Sequence, residues 1–313
     1  MSIERKIIVT GGAGLVGQNL IPRLSARGYT RIVAIDKHSA NTATLARLNP
    51  GVEVIEADLA RPGTWEAAFT GADTLILNHA QIGALEEKPF LDNNVQATAN
   101  VIAAAQRASV PHVVHISSSV VNSMACDFYT ESKKAQETLV VESGLSACVL
   151  RPTLMFGWFD RKHLGWLARF MERAPVFPVP GDGRYMRQPL YVGDFCNIII
   201  SCIEKPLPGQ IFSISGQEAI DYINLINNVN SATKSRTPVI RIPYRLFWLL
   251  LKTYAIIDKN PPFTTSQLEA LVIPEVFEVI DWPKIFGVSA TPLAEALRQT
   301  FQDPTYSRVS LEF

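Results

Sequence analysis

The stretch TGGAGLVGQNL at residues 10–20 follows an apolar run, KIIVT at 6–10, and leads into a helical pattern over 15–27. It satisfies both G-x-G-x-x-G and T-G-x-x-G-x-x-G through Gly11, Gly12, Gly14 and Gly17. Glycines there permit a tight turn, close approach of the backbone to a pyrophosphate and close contact between helix and strand. The helix N-terminus then presents free N–H groups to the phosphates. A lone glycine pattern also fits an ordinary turn, but the strand before it and the helix after it favour a dinucleotide site.

Short β-rich runs alternate with helical patterns through the first half of the chain. The strand candidates after 6–10 are 31–36, 52–57, 74–80, 112–118 and 146–152, and the helix candidates are 15–27, 64–69, 90–108 and 128–142. Such alternation predicts a parallel sheet with right-handed crossovers, and continuous apolar runs are typical of strands covered on both faces. The sequence therefore predicts an α/β fold with a Rossmann-type doubly wound parallel sheet.

The pattern changes after residue 152. PVFPVPGDG at 175–183 is typical of an ordered loop, and a helix at 193–203 and a strand at 210–215 could rejoin the sheet. The remainder is mostly helical and includes an aromatic-rich helix at 243–254, whose role stays open. We expect two interleaved units, a nucleotide-binding Rossmann domain formed by 1–152 with about 189–215, and a smaller, mostly helical C-terminal substrate lobe formed by about 153–188 with 216–313.

Composition excludes several classes of protein. The 313 residues carry 29 Lys and Arg against 29 Asp and Glu, so no basic surplus favours nucleic acid as a partner. A hydrophobic fraction of 47% argues against a disordered chain. The four cysteines are scattered and no His lies at zinc-ligand spacing, so we expect reduced thiols, no metal site and a cytoplasmic location. No signal-peptide layout is evident, and the apolar segment 246–251 is too short to span a membrane.

An acidic residue follows the second predicted strand. Asp36 lies 22 residues beyond Gly14, where a carboxylate accepts hydrogen bonds from the ribose hydroxyls and repels a 2′-phosphate. This position predicts NAD as the cofactor, although the adjacent Lys37 weakens the exclusion of NADP. Asp58 and Leu59 end the third strand, where the adenine edge is expected.

Three kinds of side chain that can assist hydride-transfer chemistry lie close together in the sequence. Tyr129 and Lys133 are four residues apart on one face of a predicted helix, and the serines at 117–119 end the fifth strand. Oxidation of an alcohol needs a group that accepts its proton as hydride leaves carbon. Tyrosine, with a reference pKa of about 10, does this when a lysine ammonium stabilises its phenolate. A serine hydroxyl can polarise the substrate oxygen.

With these residues in place, the chain resembles the extended short-chain dehydrogenases/reductases, in the NAD-dependent epimerase/dehydratase branch. The matching segments are TGGAGLVG, Asp36, ADL (57–59), LILNHA, NNVQATANV (93–101), HISSSVV, YTESK, LRPTLMFG (150–157), GDGRYMRQPLYVGDF (181–195) and GQIFSISG (209–216). The resemblance covers roughly residues 6 to 230, and its motifs are more specific for fold and cofactor than for substrate.

The resemblance implies a role for each matching residue. The catalytic set would be Ser118, with Ser119 as the alternative serine, Tyr129 as base and acid, and Lys133 as its partner. Asn94 would support the lysine and a water. The cofactor contacts implied are Gly11, Gly14, Leu15, Val16, Gly17, Asp36, Asp58, Leu59, Asn78, Ala80, Asn94, Ser117, Tyr129, Lys133 and Pro152. Ser118, Ser119 and Arg187 would bind substrate, with Arg187 on a diphosphate; a surface arginine in a polar loop fits Arg187 equally well.

The function implied is that of an NAD-dependent epimerase or ketoreductase acting on a nucleotide-linked sugar through hydride transfer and a keto intermediate. Leu154 departs from the asparagine of many sugar-nucleotide epimerases, and the residues after Ser118 lack the acidic pair of dehydratases, which disfavours dehydration. A reductase of a sterol-like or lipid ketone and a non-catalytic nucleotide-binding subunit remain alternatives. The predicted helices 90–108 and 128–142 match a pair that forms a dimer interface in relatives, which implies a homodimer.

Overall fold

The computed structural model describes residues 2–257 and 264–312. Its strands are β1 (Ile3–Thr10), β2 (Tyr29–Asp36), β3 (Glu53–Glu56), β4 (Thr74–Leu77), β5 (Val113–Ile116), β6 (Ala147–Pro152), β7 (Met155–Phe156), β8 (Phe177–Pro180), β9 (Met186–Arg187), β10 (Leu190–Tyr191), β11 (Ile211–Ile214), β12 (Ile220–Asp221) and β13 (Val239–Ile242). Its α-helices are α1 (Leu15–Ala26), α2 (Ser39–Leu48), α3 (Lys88–Phe90), α4 (Ala97–Arg107), α5 (Phe128–Glu142), α6 (Leu164–Arg173), α7 (Val192–Glu204), α8 (Tyr222–Ala232), α9 (Tyr244–Ile257), α10 (Thr265–Leu271), α11 (Trp282–Phe286) and α12 (Leu293–Gln302).

Seven parallel strands form the central sheet in the order β11-β6-β5-β4-β1-β2-β3. Side chains from α1 and α7, such as Ile21 and Phe195, bury one face, and side chains such as Trp65 and Val101 bury the other. The predicted doubly wound sheet is confirmed. The direction of winding changes between β1 and β4, where Thr10 pairs with Leu77. A crevice outside the carboxyl ends of such strands is the usual ligand site.

The segment predicted as one helix over 90–108 is divided. It starts as α3, continues through a π-helical turn at Leu91–Gln96 and becomes α4. No feature of the sequence marked the wider turn. It is a common device near functional sites because it re-aims side chains, and here it contains the buried Asn94. The short helix predicted at 64–69 is a 3-10 helix, Thr64–Phe69.

The proline-rich stretch 175–183, predicted as an ordered loop, contains strand β8. This strand pairs in parallel with β13, and the N–H groups of Phe177 and Gly181 donate to the carbonyls of Pro238 and Ile242 at 2.8 Å. Pro178 and Pro180 alternate with residues whose N–H groups can donate. A proline is tolerated at a sheet edge when its missing N–H faces away from the partner, so alternation lets this stretch form a strand.

The part of the chain after β6 builds a third apolar core. Side chains from α6, α8 and α12 meet there, including Met171, Ile226 and Leu297. Strand β11 returns to the central sheet beside β6, as the sequence predicted. Trp282 and Phe286 of α11 pack on the sheet core rather than on the third core.

The cysteines are free thiols, of which Cys126 is exposed and the other three are buried. Across residues 2–257 and 264–312, no cluster of His, Cys, Asp and Glu is arranged to hold a metal ion. In the same ranges no helix is both long and apolar enough to cross a membrane.

We propose that the protein is a homodimer paired through α4 and α5, as its resemblance to the family implies. Val141, an exposed apolar side chain on α5, would gain cover in such a pair. Light scattering at micromolar concentration should give twice the chain mass of 34.6 kDa. A mass equal to that of one chain would contradict this prediction.

Candidate functional site

The glycine turn after β1 packs tightly against the residues that follow β4. Gly11 has φ +63°, and a Cβ there would lie 2.6 Å from the Cα of His79. A Cβ on Gly17 would lie 2.3 Å from the carbonyl oxygen of Gly12, so α1 rests directly on the turn. Asn78 ties the same turn to β4 because its Nδ2 donates to the Gly11 carbonyl at 3.0 Å. These contacts hold the start of α1 at the carboxyl end of the sheet.

Asp36 ends β2 next to this turn. Its carboxylate accepts hydrogen bonds from the backbone N–H groups of Ala13 at 3.1 Å and His38 at 3.0 Å. Burial raises the pKa of Asp36, and these backbone N–H groups oppose that shift. The neighbouring Lys37 makes no such contact with the described residues of the turn, and its Nζ donates to Asn93 Oδ1 at 2.7 Å. The carboxylate is therefore the charged group of this pair that faces the glycine turn.

A cavity of about 680 Å³ extends from the glycine turn along the carboxyl edge of the sheet. That volume lies within the range of cofactor sites. Most of the residues predicted to bind cofactor or substrate line it: Gly11, Gly14, Leu15, Val16, Asp36, Asp58, Leu59, Asn78, Ala80, Ser117, Ser118, Ser119, Tyr129, Lys133 and Pro152. Gly17, Asn94 and Arg187 lie outside its lining. The remaining walls include Ile82, Val120, Leu154, Met155, His163, Glu275 and Phe277.

Tyr129 enters this cavity from the first turn of α5. The side chain of Asp127 caps the helix by accepting from the Thr130 N–H at 3.0 Å, which fixes where the helix starts. The Tyr129 ring packs near Phe90, with ring centroids 6.4 Å apart. Burial raises the pKa of Tyr129, and a hydrogen bond with the Ser118 side chain lowers it. The structure thus brings the predicted serine and tyrosine into contact.

Lys133 lies one helical turn further along the same face and is 1% exposed. Its Nζ donates to the Ile116 carbonyl at 3.2 Å and to Oε1 of Gln136. Burial lowers the pKa of Lys133 to about 7, and the negative charge of Glu137 opposes the shift. A buried ammonium needs such partners because an unpaired one is costly.

A chain of buried polar groups continues from Lys133 to the glycine turn. Gln136 Nε2 donates to Thr98 Oγ1 at 2.9 Å, and Thr98 contacts His79 Nε2 at 3.0 Å. The other ring nitrogen of His79 lies 2.9 Å from Oγ1 of Thr10, the residue before Gly11. Burial and the nearby Lys133 charge lower the pKa of His79 to about 3, so its ring is neutral.

The contacts of Gln136 were not predicted from the sequence. One signal was available, because Gln136 lies seven residues after Tyr129 and three after Lys133, on the same helical face. A polar residue on the buried face of an amphipathic helix needs a partner. Its partners Thr98 on α4 and the carbonyl of His79 after β4 could not be deduced, since they are distant in the sequence.

Ser117, beside the catalytic candidates, belongs to a second polar group. Its hydroxyl donates to Glu137 at 2.5 Å, and Glu137 is paired with Arg151 through two hydrogen bonds, one of 3.0 Å. The hydrogen bond with Glu137 and the negative charge of Glu137 raise the pKa of Arg151. Arg151 also donates to Asn122 at 3.0 Å. This group ties α5 to β5 and β6 behind the cavity.

Asn94 has different neighbours from those implied by the resemblance. Its Oδ1 accepts from the Gln81 N–H at 2.6 Å, and its Nδ2 donates to the Gln81 carbonyl at 3.1 Å and to Ser132 at 2.9 Å. Asn94 thus fixes the loop after β4, whose Gln81 and Ile82 line the cavity. The contact with the Lys133 ammonium is made by Gln136 instead.

Arg187, predicted to bind a substrate diphosphate, is engaged elsewhere. Its guanidinium donates to the carbonyls of Ile273 at 2.8 Å, Met186 at 2.9 Å and Leu271. It is 9% exposed, and Glu275 lies 4.0 Å from its Nε. In this arrangement Arg187 fastens the segment after α10 to β9. A diphosphate contact would require some of these hydrogen bonds to break.

Comparison with known proteins agrees with this geometry. The model of the NAD dependent epimerase/dehydratase family matches residues 7–215. The 3 beta-hydroxysteroid dehydrogenase/Delta 5-->4-isomerase of Mycobacterium tuberculosis is 26% identical and covers 76% of this chain and 72% of its own. The 2-alkyl-3-oxoalkanoate reductase of Stenotrophomonas maltophilia is also 26% identical, over 94% and 98%. A solved structure of the UDP-glucuronic acid 4-epimerase of Bacillus cereus with NAD shares the fold, with TM-score 0.74, 18% identity and coverage of 95% and 96%.

The chain belongs to the NAD-dependent epimerase/dehydratase family, whose members are enzymes, and NAD is its cofactor. The described residues fit this cofactor. The turn at Gly11 and Gly17 leaves no space for side chains, Asp36 supplies an acceptor for a ribose, and one cavity joins them to Tyr129 and Lys133.

We expect Asp36→Asn to narrow the preference for NAD over NADP. The amide keeps an oxygen for the backbone N–H groups but removes the charge that repels a 2′-phosphate. Calorimetric titration of both cofactors should show weaker NAD binding and stronger NADP binding than in the wild type. Tighter binding of NADP than NAD by the wild-type protein would contradict the role given to Asp36.

We expect Tyr129→Phe to retain the fold and NAD affinity while turnover falls by about 10²–10⁴-fold, the usual cost of losing a positioned general base. The ring packing against Phe90 survives and only the phenol is lost. In the wild type, alcohol oxidation should slow as the pH falls, because a protonated Tyr129 cannot accept a proton. Single-turnover hydride transfer measured beside NAD affinity tests both points. Near-normal turnover in Tyr129→Phe would support the non-catalytic alternative.

Proposed function

We propose that this protein is an NAD-dependent oxidoreductase that interconverts a secondary alcohol and a ketone on a largely apolar, lipid-like substrate. The observation that carries the proposal is the character of the cavity walls beyond Ser118 and Tyr129. Ile82, Val120, Leu154, Met155 and Phe277 line them. Apolar walls with few polar groups favour an apolar ligand.

Charge at the same walls supports this proposal. Among described residues lining the cavity, the side chains with a formal positive charge are Lys37 and Lys133, and arginine is absent. Lys37 donates to Asn93, and Lys133 is buried one helical turn after Tyr129 on α5. Glu275 adds a carboxylate to the wall. A substrate diphosphate would therefore find no arginine fork, which suits phosphate oxygens, in the described part of the lining, where Glu275 lies 4.0 Å from Arg187.

The relatives support the same substrate class. Two of them are named as a hydroxysteroid dehydrogenase/isomerase and an alkyl-oxoalkanoate reductase. Both names describe hydroxyl or keto groups on largely hydrocarbon molecules. We infer a substrate of comparable chemistry for this chain, held by the lobe that we propose for residues 153–188 and 216–313.

Each catalytic candidate has a task in this proposal. NAD, when bound, supplies the hydride acceptor or donor. Ser118 donates a hydrogen bond to the substrate oxygen and fixes it beside Tyr129. The Tyr129 phenol exchanges a proton with that oxygen, as an acid in ketone reduction and as a base in alcohol oxidation. The Lys133 ammonium stabilises the phenolate electrostatically, and Gln136 holds the ammonium in place.

A nucleotide-linked sugar is the second candidate, with epimerisation or ketoreduction as the reaction. It is supported by the position of Arg187 in the sequence and by the likeness of the fold to a UDP-sugar epimerase. In this case Arg187 would have to release carbonyls of the segment after α10 to reach the diphosphate.

Arg187→Gln separates the two candidates, and Arg184→Gln, an exposed arginine in the same region, is the matched control. With an apolar substrate, Arg187→Gln should lower the melting temperature, since each lost buried hydrogen bond costs about 1–3 kcal/mol. NADH oxidation with hydrophobic ketones should keep its KM to within a few-fold. If the substrate is a nucleotide sugar, UDP should bind in the wild-type cavity. Arg187→Gln should then weaken the binding free energy of UDP by about 1.5–3 kcal/mol.

A substrate panel completes the test. NADH oxidation is followed with 3-oxo-alkanoates, a steroid ketone and UDP-linked keto sugars, with UDP titrated by calorimetry. We expect turnover with a hydrophobic ketone and no competition by UDP. Turnover confined to UDP-linked sugars would overturn the proposal in favour of the second candidate.

A further inference from the structure

Helix α9 carries an apolar face that its neighbours leave exposed. Leu246, Leu249 and Leu250 are 48%, 52% and 49% exposed, and Tyr254 is 45% exposed. The three leucines follow the i, i+3, i+4 spacing that places residues on one helical face. Phe247, at 9% exposure, belongs to the opposite side, through which the helix is attached to the protein. Exposed apolar clusters of this kind mark interaction surfaces.

The charged residues of α9 itself are Arg245 and Lys252, and both are basic. Between residues 222 and 257 the chain contains five basic residues, Lys234, Arg236, Arg241, Arg245 and Lys252, and no acidic residue. At 100° per residue, Arg245 and Lys252 lie together on the border between the leucine face and the attached side. Lys252 lies 4.8 Å from the ring centre of Trp248. Apolar residues on one face with Lys and Arg beside them are the signature of a helix that lies in a membrane interface.

We propose that the exposed face of α9 docks on an anionic lipid surface. Basic residues beside an apolar face gain attraction from negatively charged headgroups, while the leucines enter the acyl boundary. A second copy of the chain is a poorer occupant, because a symmetric contact would bring the basic pair Arg245 and Lys252 of both copies into one interface.

The docking face is connected to the substrate cavity through α10. Helix α9 packs against α10, and Trp248 Nε1 donates to Glu269 at 3.2 Å. The segment directly after α10 supplies Glu275 and Phe277 to the cavity wall, and its Ile273 and Val276 are 62% and 58% exposed. A lipid surface at α9 therefore lies beside the element that shapes the cavity. The inference deepens the proposed function by giving its lipid-like substrate a source, and it rests on that function only for this link.

Flotation with lipid vesicles tests the proposal on the full chain with NAD. Wild-type protein should float with vesicles of phosphatidylcholine and phosphatidylglycerol, much less with pure phosphatidylcholine, and be released by high salt. Arg245→Gln with Lys252→Gln should weaken binding by roughly fivefold per charge. Leu249→Glu with Leu250→Glu should weaken it by on the order of tenfold or more. Ile285→Glu, at an exposed isoleucine of α11, is the matched control and should bind like the wild type.

Several outcomes would overturn the inference. The first is wild-type protein that floats with neither kind of vesicle. The second is a pair of glutamate substitutions that leaves flotation equal to that of the wild type. The third is a pair of substitutions on this face that changes the mass measured by light scattering but leaves flotation unchanged. NAD affinity shows whether each variant is folded, and the charge pair remains as a test if the glutamate pair unfolds. Flotation needs no turnover. Vesicle binding without ketone turnover would therefore remove only the proposed function, and turnover without vesicle binding would remove only this inference.

Discussion

The buried ammonium of Lys133 is the constraint on which the arrangement of the site depends. A charge removed from water must find partners, and those available to Lys133 are the Ile116 carbonyl and Gln136. Gln136 in turn needs Thr98 and the carbonyl of His79, and the His79 ring needs Thr10. The strands β1 and β5, the helices α4 and α5, and His79 just beyond β4 thus share one polar chain. A small slip of α5 would leave several buried groups without partners at once, so the site resists partial disorder.

The sheet and the glycine turn could be predicted from the sequence for physical reasons. Strands covered on both faces must be apolar runs, and a nucleotide turn must contain glycine where a Cβ has no space, so both leave clear patterns. Strand β8 was missed because alternating prolines in a two-stranded edge resemble a loop. The π-helical turn was missed because its wider winding has no compositional mark.

The surroundings of the reactive side chains were harder to predict than the side chains themselves. Tyr129 and Lys133 are neighbours along one helix, so their proximity follows from spacing alone. The contacts of Gln136 and Asn94 depend on loops and helices that meet only in three dimensions. Arg187 is the sharpest case. Its position matched a phosphate-binding pattern, but its partners include the carbonyls of Leu271 and Ile273, more than eighty positions later.

Strand β11 has a consequence for the order in which the chain becomes stable during synthesis. The nucleotide-binding turn, the catalytic candidates and six of the seven sheet strands are complete once β6 has been made. The outer edge of β6, however, stays unpaired until β11 leaves the ribosome. At a synthesis rate of about 5–20 residues per second, this edge is open for several seconds. An unpaired parallel strand rich in apolar residues is a template for aggregation, so nascent chains are most exposed to chaperones between β6 and β11.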